Sequence, residues 1–160
     1  MQWYIATIIL VIIIYASLYY IFEDELIIYQ TNLAHFDFNL LYKKQPIIIE
    51  DNVKDINQLL NTWFNINIVN DNINVNSIWS RNKYKYLLIQ SFNPIEVTIC
   101  NASSKIIYGA PDINTNMTTI KLNNNKIIIL PFKWYYHIEG NAYIYGIHDY
   151  ITYMIGNITK

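Results

Sequence analysis

Residues Trp3–Phe22 read WYIATIILVIIIYASLYYIF, a run of twenty residues that contains no charge and no proline. Apart from its aromatic rings, the run has only two polar side chains, those of Thr7 and Ser17. At a rise of about 1.5 Å per residue, a helix of this length measures roughly 30 Å, the thickness of a bilayer's hydrocarbon core. Its aliphatic side chains favour insertion by roughly 5 kcal/mol in total. The sequence therefore predicts a transmembrane anchor over residues 1–22.

A buried core helix is the alternative interpretation, but a core helix in a chain of 160 residues is rarely apolar on every face. A cleaved signal peptide is also disfavoured, because the run is long, lacks a positively charged start and does not end in small residues. We therefore expect an uncleaved, single-pass anchor. The side chains expected to contact the bilayer are Trp3, Tyr4, Ile12, Tyr19, Tyr20 and Phe22.

Charge and cysteine content exclude several classes of protein. The net charge is −1, and the chain has neither a basic face for nucleic acid nor a polybasic segment. Cys100 is the only cysteine, so an internal disulfide is excluded. Asn-x-Ser/Thr sequons begin at Asn101, Asn116 and Asn157, and they are candidate glycosylation sites if the domain faces a lumen. Neither flank of the anchor has a nearby Lys or Arg, so its orientation is not set.

The rest of the chain is divided into a juxtamembrane segment over residues 23–35 and a β domain over residues 36–160. In the second part, short apolar or alternating runs are separated by turns rich in Asn, Gly and Pro. The firmest predicted hairpin has its turn at Asn123–Asn125. Many short strands predict a mainly β fold of the jelly-roll type with one or two helices.

Two helices are expected in the β domain. The apolar positions of Val53–Phe64 recur at spacings of three and four, which predicts a helix capped by Asp51 or Asn52. A last short helix is predicted near the end of the chain, with Asp149 as its cap.

Two stretches carry a resemblance to a known family: YKKQPIIIED at Tyr42–Asp51 and NNKIIILPFKWYYHI at Asn124–Ile138. Together they resemble the cupin-like, JmjC-related double-stranded β-helix proteins, with a proline and β-branched run early and a Trp-aromatic-His strand late. The resemblance covers roughly residues 36–155 and implies a cupin-like jelly roll. Small membrane-anchored proteins of this kind occur in large DNA viruses, so it also implies a virion or membrane-associated protein.

The resemblance allows a test for catalytic residues. Active members of the family bind Fe(II) through two His and one carboxylate, and they use 2-oxoglutarate. The late His would be His137, but the region of residues 84–100, where an early His-x-Asp/Glu pair is expected, contains no His. A His-x-Asp occurs only at His35 and Asp37, ahead of the domain's opening proline. These three are weak metal candidates, and we predict no catalytic residue, metal or cofactor.

The aromatic residues Trp134, Tyr135, Tyr136 and Trp79 are the candidates for a protein interface, although side chains of this kind fill a core more often than they anchor an interface. We therefore expect a non-enzymatic, single-pass membrane protein, a virion or minor capsid component that links a membrane to a protein shell. Its expected location is a virion membrane or a host endomembrane, and its expected partners are the bilayer and other virion or membrane proteins, not nucleic acid. The alternatives are a membrane-anchored 2-oxoglutarate/Fe(II) hydroxylase and a lumenal or extracellular binding module.

Overall fold

The structure, a computed structural model, describes residues 2–19, 25–65, 67–70, 78–104, 106–107, 110–112 and 115–153. Its first element, α1, is an 18-residue helix over Gln2–Tyr19. At 1.5 Å per residue α1 rises about 27 Å, so it is shorter than predicted, and Tyr20 and Phe22 lie outside the described residues. Within the ranges given above, no helix combines the length and the apolar character needed to cross a membrane. The span predicted over residues 1–22 is therefore not observed there.

Short elements lead from α1 into the β domain: β1 (Tyr29–Thr31), a 3-10 helix (Leu33–His35), α2 (Asn39–Tyr42), β2 (Ile47–Ile49) and α3 (Ile56–Trp63). β1 pairs with β2 in parallel. Just before β1, the buried side-chain amide of Gln45 donates to the carbonyl of Glu25 at 2.9 Å and accepts from the N–H of Ile27 at 3.2 Å. Hydrogen-bonded structure thus begins inside the predicted juxtamembrane segment.

The remaining strands are short and follow one another closely. They are β3 (Ile68–Asn70), β4 (Ser80–Arg81), β5 (Tyr86–Ser91), β6 (Ile95–Cys100), β7 (Ile106–Ile107), β8 (Ala110–Pro111), β9 (Met117–Leu122), β10 (Ile127–Pro131), β11 (Tyr135–Glu139) and β12 (Ala142–His148). Among the described residues, six strands form sheet A in the order β1-β2-β10-β5-β12-β3, and four form sheet B in the order β4-β11-β6-β9. β7 and β8 pair only with each other in the described part of the chain.

The strand order is that of a jelly roll. The strands β3–β6 and β9–β12 are divided equally between the two sheets. Their order is β3-β12-β5-β10 in sheet A and β4-β11-β6-β9 in sheet B. Two Greek keys of this kind make an eight-stranded jelly roll. β2 and then β1 extend sheet A beyond β10. The predicted mainly β fold is therefore confirmed.

The two sheets differ in burial, and their sequences show why. Sheet A packs on sheet B with one face and on α2 and α3 with the other, so every residue of β5 and β10 is buried. Strands covered on both faces carry long apolar runs, here residues 86–89 of β5 and residues 127–131 of β10. Sheet B has one face toward the core, and the residues of β9 and β11 alternate between buried and more exposed positions. This alternation is typical of a strand covered on one face.

The predicted hairpin at Asn123–Asn125 is wrong. β9 belongs to sheet B, whereas β10 pairs with β2 and β5 in sheet A. Asn125 has a φ of 58°, and its backbone bonds to Ser91 and Val53 rather than across a hairpin. The turn therefore carries the chain from one sheet to the other.

Both predicted helices of the β domain form, with one change of cap. α3 begins at Ile56, and the carboxylate of Asp55 accepts hydrogen bonds from the N–H groups of Asn57 and Gln58. The predicted caps, Asp51 and Asn52, lie ahead of that position. The second helix begins after Asp149, whose carboxylate accepts from the N–H of Thr152 at 2.7 Å.

Candidate functional site

The predicted metal candidates do not come together. His35 lies in the exposed 3-10 helix, and Asp37 follows it in the lead-in to α2. His137 lies on β11, where its two strand neighbours face the core, so its own ring faces outward, 5.5 Å from the ring of Trp79. Among the described residues, no group of three His, Cys, Asp or Glu side chains is placed to hold a metal ion.

The space between the two sheets is filled by apolar side chains. Its fully buried members on sheet B are Val97, Ile99 and Ile138, and those on sheet A are Leu87, Ile89, Ile128, Leu130 and Ile144. These side chains offer no metal ligand and no acid or base. The described interior therefore acts as a packed core.

Polar side chains enter this core near the end of β12. His148 is buried between the rings of Tyr84, at 4.7 Å, and Tyr153, at 5.4 Å. Its Nδ1 atom has no hydrogen-bond partner in the described structure. Burial, reinforced by the nearby charge of Lys83, lowers the pKa of His148. Neutral imidazole is thus the favoured form in the folded protein.

Cys100 is not placed to act as a nucleophile. It lies on β6 in sheet B with no exposed surface, and burial raises the pKa of its thiol. A buried thiol of this kind is inert, because the thiolate is the reactive form.

The four aromatic residues of the predicted interface divide into two pairs. Trp134 and Tyr136 are 1% and 8% exposed and belong to the core between the sheets. Tyr135 and Trp79 are half-buried on the outer side of sheet B. Burial removes Trp134 and Tyr136 from the predicted interface, whereas Tyr135 and Trp79 stay candidates.

The three sequons also differ in access. Asn101 is 6% exposed, and its side-chain oxygen accepts from the N–H of Ser103 at 3.3 Å. Asn116 is exposed just before β9. Asn157 lies outside the described residues. Of the two sequons that the structure describes, Asn116 is the one whose side chain an oligosaccharyltransferase could reach.

α1 exposes its apolar side chains on every side. Trp3 and Tyr4 are largely exposed, and the aliphatic side chains between residues 5 and 14 are 39–60% exposed. The hydroxyl groups of Thr7 and Ser17 bond within the helix, since Thr7 donates to the carbonyl of Trp3 at 2.9 Å and Ser17 to that of Ile13 at 2.7 Å. These two polar side chains therefore do not interrupt the apolar surface of α1 with an unsatisfied hydroxyl.

The last turns of α1 contact the β domain through a small polar cluster. The hydroxyl of Tyr15 donates to the carboxylate of Asp149, which also accepts from Nζ of Lys85 at 2.8 Å. Burial would raise the pKa of Asp149, but hydrogen bonds from Lys85, the Thr152 backbone and Tyr15 hold it below its ordinary value. Burial opposes the charge on Lys85 as well, yet the bond to Asp149 keeps its pKa raised.

A cavity of about 320 Å³ lies beside this cluster, between α1, α2 and the end of β10. Its lining is largely apolar, with two lysines: Leu18, Leu41, Tyr86, Phe132, Lys44 and Lys85. Burial raises the pKa of Tyr86 to about 12, although Lys85 works against the shift, so its phenol stays protonated. We call this space the junction cavity.

Lys44 has an unusual backbone at the edge of the junction cavity. Its φ is 53°, a left-handed conformation that non-glycine residues seldom adopt. The indole N–H of Trp134 donates to the Lys44 carbonyl at 3.1 Å. The Lys44 ammonium donates to the carbonyl of Leu18 near the end of α1. The core residue Trp134 therefore holds the backbone of Lys44, whose side chain contacts the end of α1.

Sequence reasoning missed this junction. Tyr15 and Asp149 are 134 residues apart, and Lys44 is 90 residues from Trp134. No periodicity or short motif joins residues so distant. The one local signal is Lys43-Lys44 directly after a helical turn, where a left-handed residue commonly ends the helix.

Comparisons of the sequence and the fold with known proteins do not assign a function to these residues. The sequence matches no protein family and no curated protein. Among solved structures, the chain is similar to RmlC from Streptococcus suis, determined in complex with dTDP-D-xylose, with 14% identity and a TM-score of 0.29. The match covers 66% of this chain and 62% of that chain. A similarity this low assigns neither an activity nor a ligand to the chain.

Proposed function

We propose that this chain is a non-enzymatic membrane protein, in which α1 inserts into a lipid bilayer and holds the jelly-roll domain beside it. The observation that carries the proposal is the exposure of α1. Monomeric soluble proteins rarely expose contiguous apolar patches larger than a few hundred Å². A helix apolar on all sides needs an apolar surrounding, and a bilayer supplies it without further protein.

The internal hydrogen bonds of Thr7 and Ser17 support the same proposal. A hydroxyl that bonds to the carbonyl four residues earlier needs no water. In hydrocarbon, each unsatisfied polar group would cost several kcal/mol. Trp3 and Tyr4 lie together at the start of the helix, where their amphipathic rings suit the headgroup level.

The non-enzymatic part of the proposal rests on the β domain. The core between the sheets is apolar, and His35 and Asp37 lie apart from His137 in the described structure. We therefore do not extend the proposal to a hydroxylase.

Vesicle flotation of the full chain tests membrane insertion. Wild-type protein should float with phosphatidylcholine vesicles, whereas a variant with Ile9→Asp and Ile12→Asp should stay in the bottom fraction. Two carboxylates near the helix centre cost about 5–7 kcal/mol, which exceeds the roughly 5 kcal/mol gained by the apolar side chains.

The matched control places the same charges on exposed apolar residues outside α1. Ile78 and Tyr143 are 62% and 45% exposed, and a variant with Ile78→Asp and Tyr143→Asp should float like wild type. Flotation of the α1 variant, or failure of the wild-type chain to float, would contradict insertion through α1.

We further propose that the domain connects its membrane to another protein layer, in a virion of a large DNA virus or on a host endomembrane. The resemblance to cupin-like viral proteins motivates the choice of a virion or an endomembrane. The half-buried Tyr135 and Trp79 on the uncovered side of sheet B supply aromatic contacts of the type that anchor interfaces.

Purified particles should contain the chain in stoichiometric amount. The double variant Tyr135→Ala and Trp79→Ala should be depleted from them, and absence of the wild-type chain would reject the virion assignment.

A further inference from the structure

The strand β9 forms an open edge of sheet B. In the described part of the chain it pairs only with β6, and this pairing runs without a bulge from Met117 to Leu122. In an antiparallel pair, alternate residues direct their backbone N–H and C=O groups away from the partner strand. On β9 these groups form a template on which a further strand can pair.

β9 lacks the features that usually protect an edge strand. The other described edge strands of the two sheets, β1, β3 and β4, have only two or three residues, whereas β9 has six. β9 contains no proline, and the ammonium of its one charged residue, Lys121, lies 3.0 Å from the carboxylate of Glu96 on β6. Short length, proline and unpaired charge are the common means of blocking edge pairing. This edge is therefore suited to accept a strand.

An open groove beside β9 leaves room for that strand. One wall of the groove is formed by residues 115–118, at the start of β9, and the other by residues 25–27, which lead to β1. Leu26 in the second wall packs against the core between the sheets. Both walls are thus parts of the folded domain.

The side chains of β9 are complementary to those of a second copy of the strand. Met117, Thr119 and Lys121 face outward, whereas Ile120 and Leu122 face the core. Outward residues must meet outward residues in a continuous sheet, so two antiparallel copies of β9 pair about a residue and not between two residues. In a pair centred on Thr119, this residue meets its own copy, and Met117 meets the partner's Lys121. No like charges are then opposed, and threonine pairs across strands stabilise a sheet.

We propose that two copies of this chain pair through β9, antiparallel and centred on Thr119, in the bilayer into which α1 inserts. The two-fold axis of such a pair is perpendicular to sheet B. The last turns of α1 meet the domain beside Leu41 of α2, which packs on the face of sheet A turned away from sheet B. Both copies of α1 are therefore attached on the same side of the pair and can enter one membrane. The inference rests on the proposed insertion and adds a partner to it.

The bilayer matters because the shared edge is small. Pairing of residues 117–121 buries much less than the about 1,200 Å² of a standard stable interface, so the pair is weak in dilute detergent. Anchoring of both chains in one membrane raises their effective concentration. The outer face of the joined sheet stays open, and it presents two copies of Tyr135 and Trp79 to the proposed protein layer.

Disulfide cross-linking of the full chain in phosphatidylcholine vesicles tests the pairing. In the proposed register the two copies of Thr119 lie directly opposite each other, with Cα atoms about 4.5–5.5 Å apart, which is within the range that a disulfide spans. Thr119→Cys should therefore give a covalent dimer on oxidation with copper phenanthroline. The wild-type chain, whose Cys100 is buried, should stay monomeric on the gel.

Thr98→Cys is the matched control. Thr98 lies opposite Thr119 on β6, with the two hydroxyl oxygens 3.0 Å apart, so it is on the same face but one strand further from the edge. Its two copies would lie about 14 Å apart in the pair, too far for a disulfide. The dimer from this variant should stay at the wild-type background.

Charge at Met117 tests the register, because this exposed side chain meets the partner's Lys121. In the Thr119→Cys background, Met117→Lys places like charges opposite each other at two symmetric positions and should lower the cross-linked fraction severalfold. Met117→Glu, which places opposite charges there, should keep or raise that fraction.

Four results would overturn the inference. Equal dimer from Thr119→Cys and Thr98→Cys would reduce cross-linking to random collision, and equal effects of Met117→Lys and Met117→Glu would reject the register. Absence of dimer from Thr119→Cys in vesicles that carry the floated chain would reject self-pairing, leave the edge to a strand of another protein and leave insertion standing. Failure of the chain to float would reject the proposed function itself, and the pair with it.

Discussion

Gly146 is a position where one methyl group should disturb the packing between two elements. A Cβ built at this residue would lie 2.3 Å from ring carbons of Tyr84, and that ring is buried. Relief requires the ring to move into neighbouring core atoms. We expect Gly146→Ala to lower the free energy of unfolding by about 1–3 kcal/mol, the usual cost of overpacking, as measured by urea denaturation.

The pair can be checked with a double-mutant cycle. Tyr84→Leu shortens the side chain that the new methyl group would meet, so the cost of Gly146→Ala should fall in that background. The expected coupling between the two sites is about 0.5–3 kcal/mol, the range for residues in contact. Additive effects would show that the ring does not limit Gly146.

His148 should make stability depend on pH near neutrality. Its folded pKa is lowered by burial and by Lys83, with Asp149 acting in the opposite direction. The unfolded chain therefore binds more protons between the folded value and about 6.5, and stability rises with pH across that window. The contribution is complete above about pH 6.5 and is lost as the pH falls through the folded pKa.

The measurement is the urea midpoint at pH 7 and pH 5. The decrease from pH 7 to pH 5 should be smaller in His148→Phe, which removes the titrating group. His35→Phe, at an exposed position, is the control and should keep the wild-type profile. Identical profiles in His148→Phe and the wild type would rule out a role for His148.

At the scale of single elements, the cap of α3 gives a clear contrast between two neighbouring polar residues. Asp55 accepts two backbone hydrogen bonds at the start of the helix, at 3.0 and 3.2 Å. We expect Asp55→Ala to lower the free energy of unfolding by about 1 kcal/mol. Asn52→Ala should change it by less than about 0.5 kcal/mol, as for an ordinary surface position. Equal effects at the two positions would contradict the observed cap.

The sequence predicted strands well and their partners less well. The alternation in β9 and the continuous apolar run in β10 both follow from which faces each sheet covers. The Asn123–Asn125 turn predicts a hairpin because adjacent strands with a short turn usually pair. Local pattern does not reveal that the two strands belong to opposite sheets, since a turn of the same composition serves both cases.

For the whole molecule, exposed α1 predicts self-association in water. Each aliphatic side chain removed from water contributes about 1.5–3 kcal/mol when fully buried, so copies of α1 should pack together when no lipid is present. Analytical ultracentrifugation should show oligomers in buffer and one copy per micelle in mild detergent. The Ile9→Asp, Ile12→Asp variant should be less associated in buffer, and an unchanged distribution would mean that another surface drives association.

The junction between α1 and the β domain could not be predicted from the sequence. The apolar run of α1 is evident from residue types alone. The junction cavity is not, because Tyr15, Lys44, Lys85 and Asp149 meet only after the jelly roll has closed. Their residue types are ordinary, and their importance follows from long-range contacts that have no local signature.

The bridge that Gln45 makes to the chain before β1 has a mechanical consequence. If α1 is held in a bilayer and sheet B in a protein layer, a pull between them first loads the bonds that Tyr15 and Lys44 make between α1 and the domain. Once these bonds open, the pull reaches Glu25 and Ile27. The buried amide of Gln45 bonds to both of these residues, so it holds this stretch of chain on the domain. Behind it, β1 is paired in parallel with β2. Gln45 is therefore the second point at which the tether is fastened.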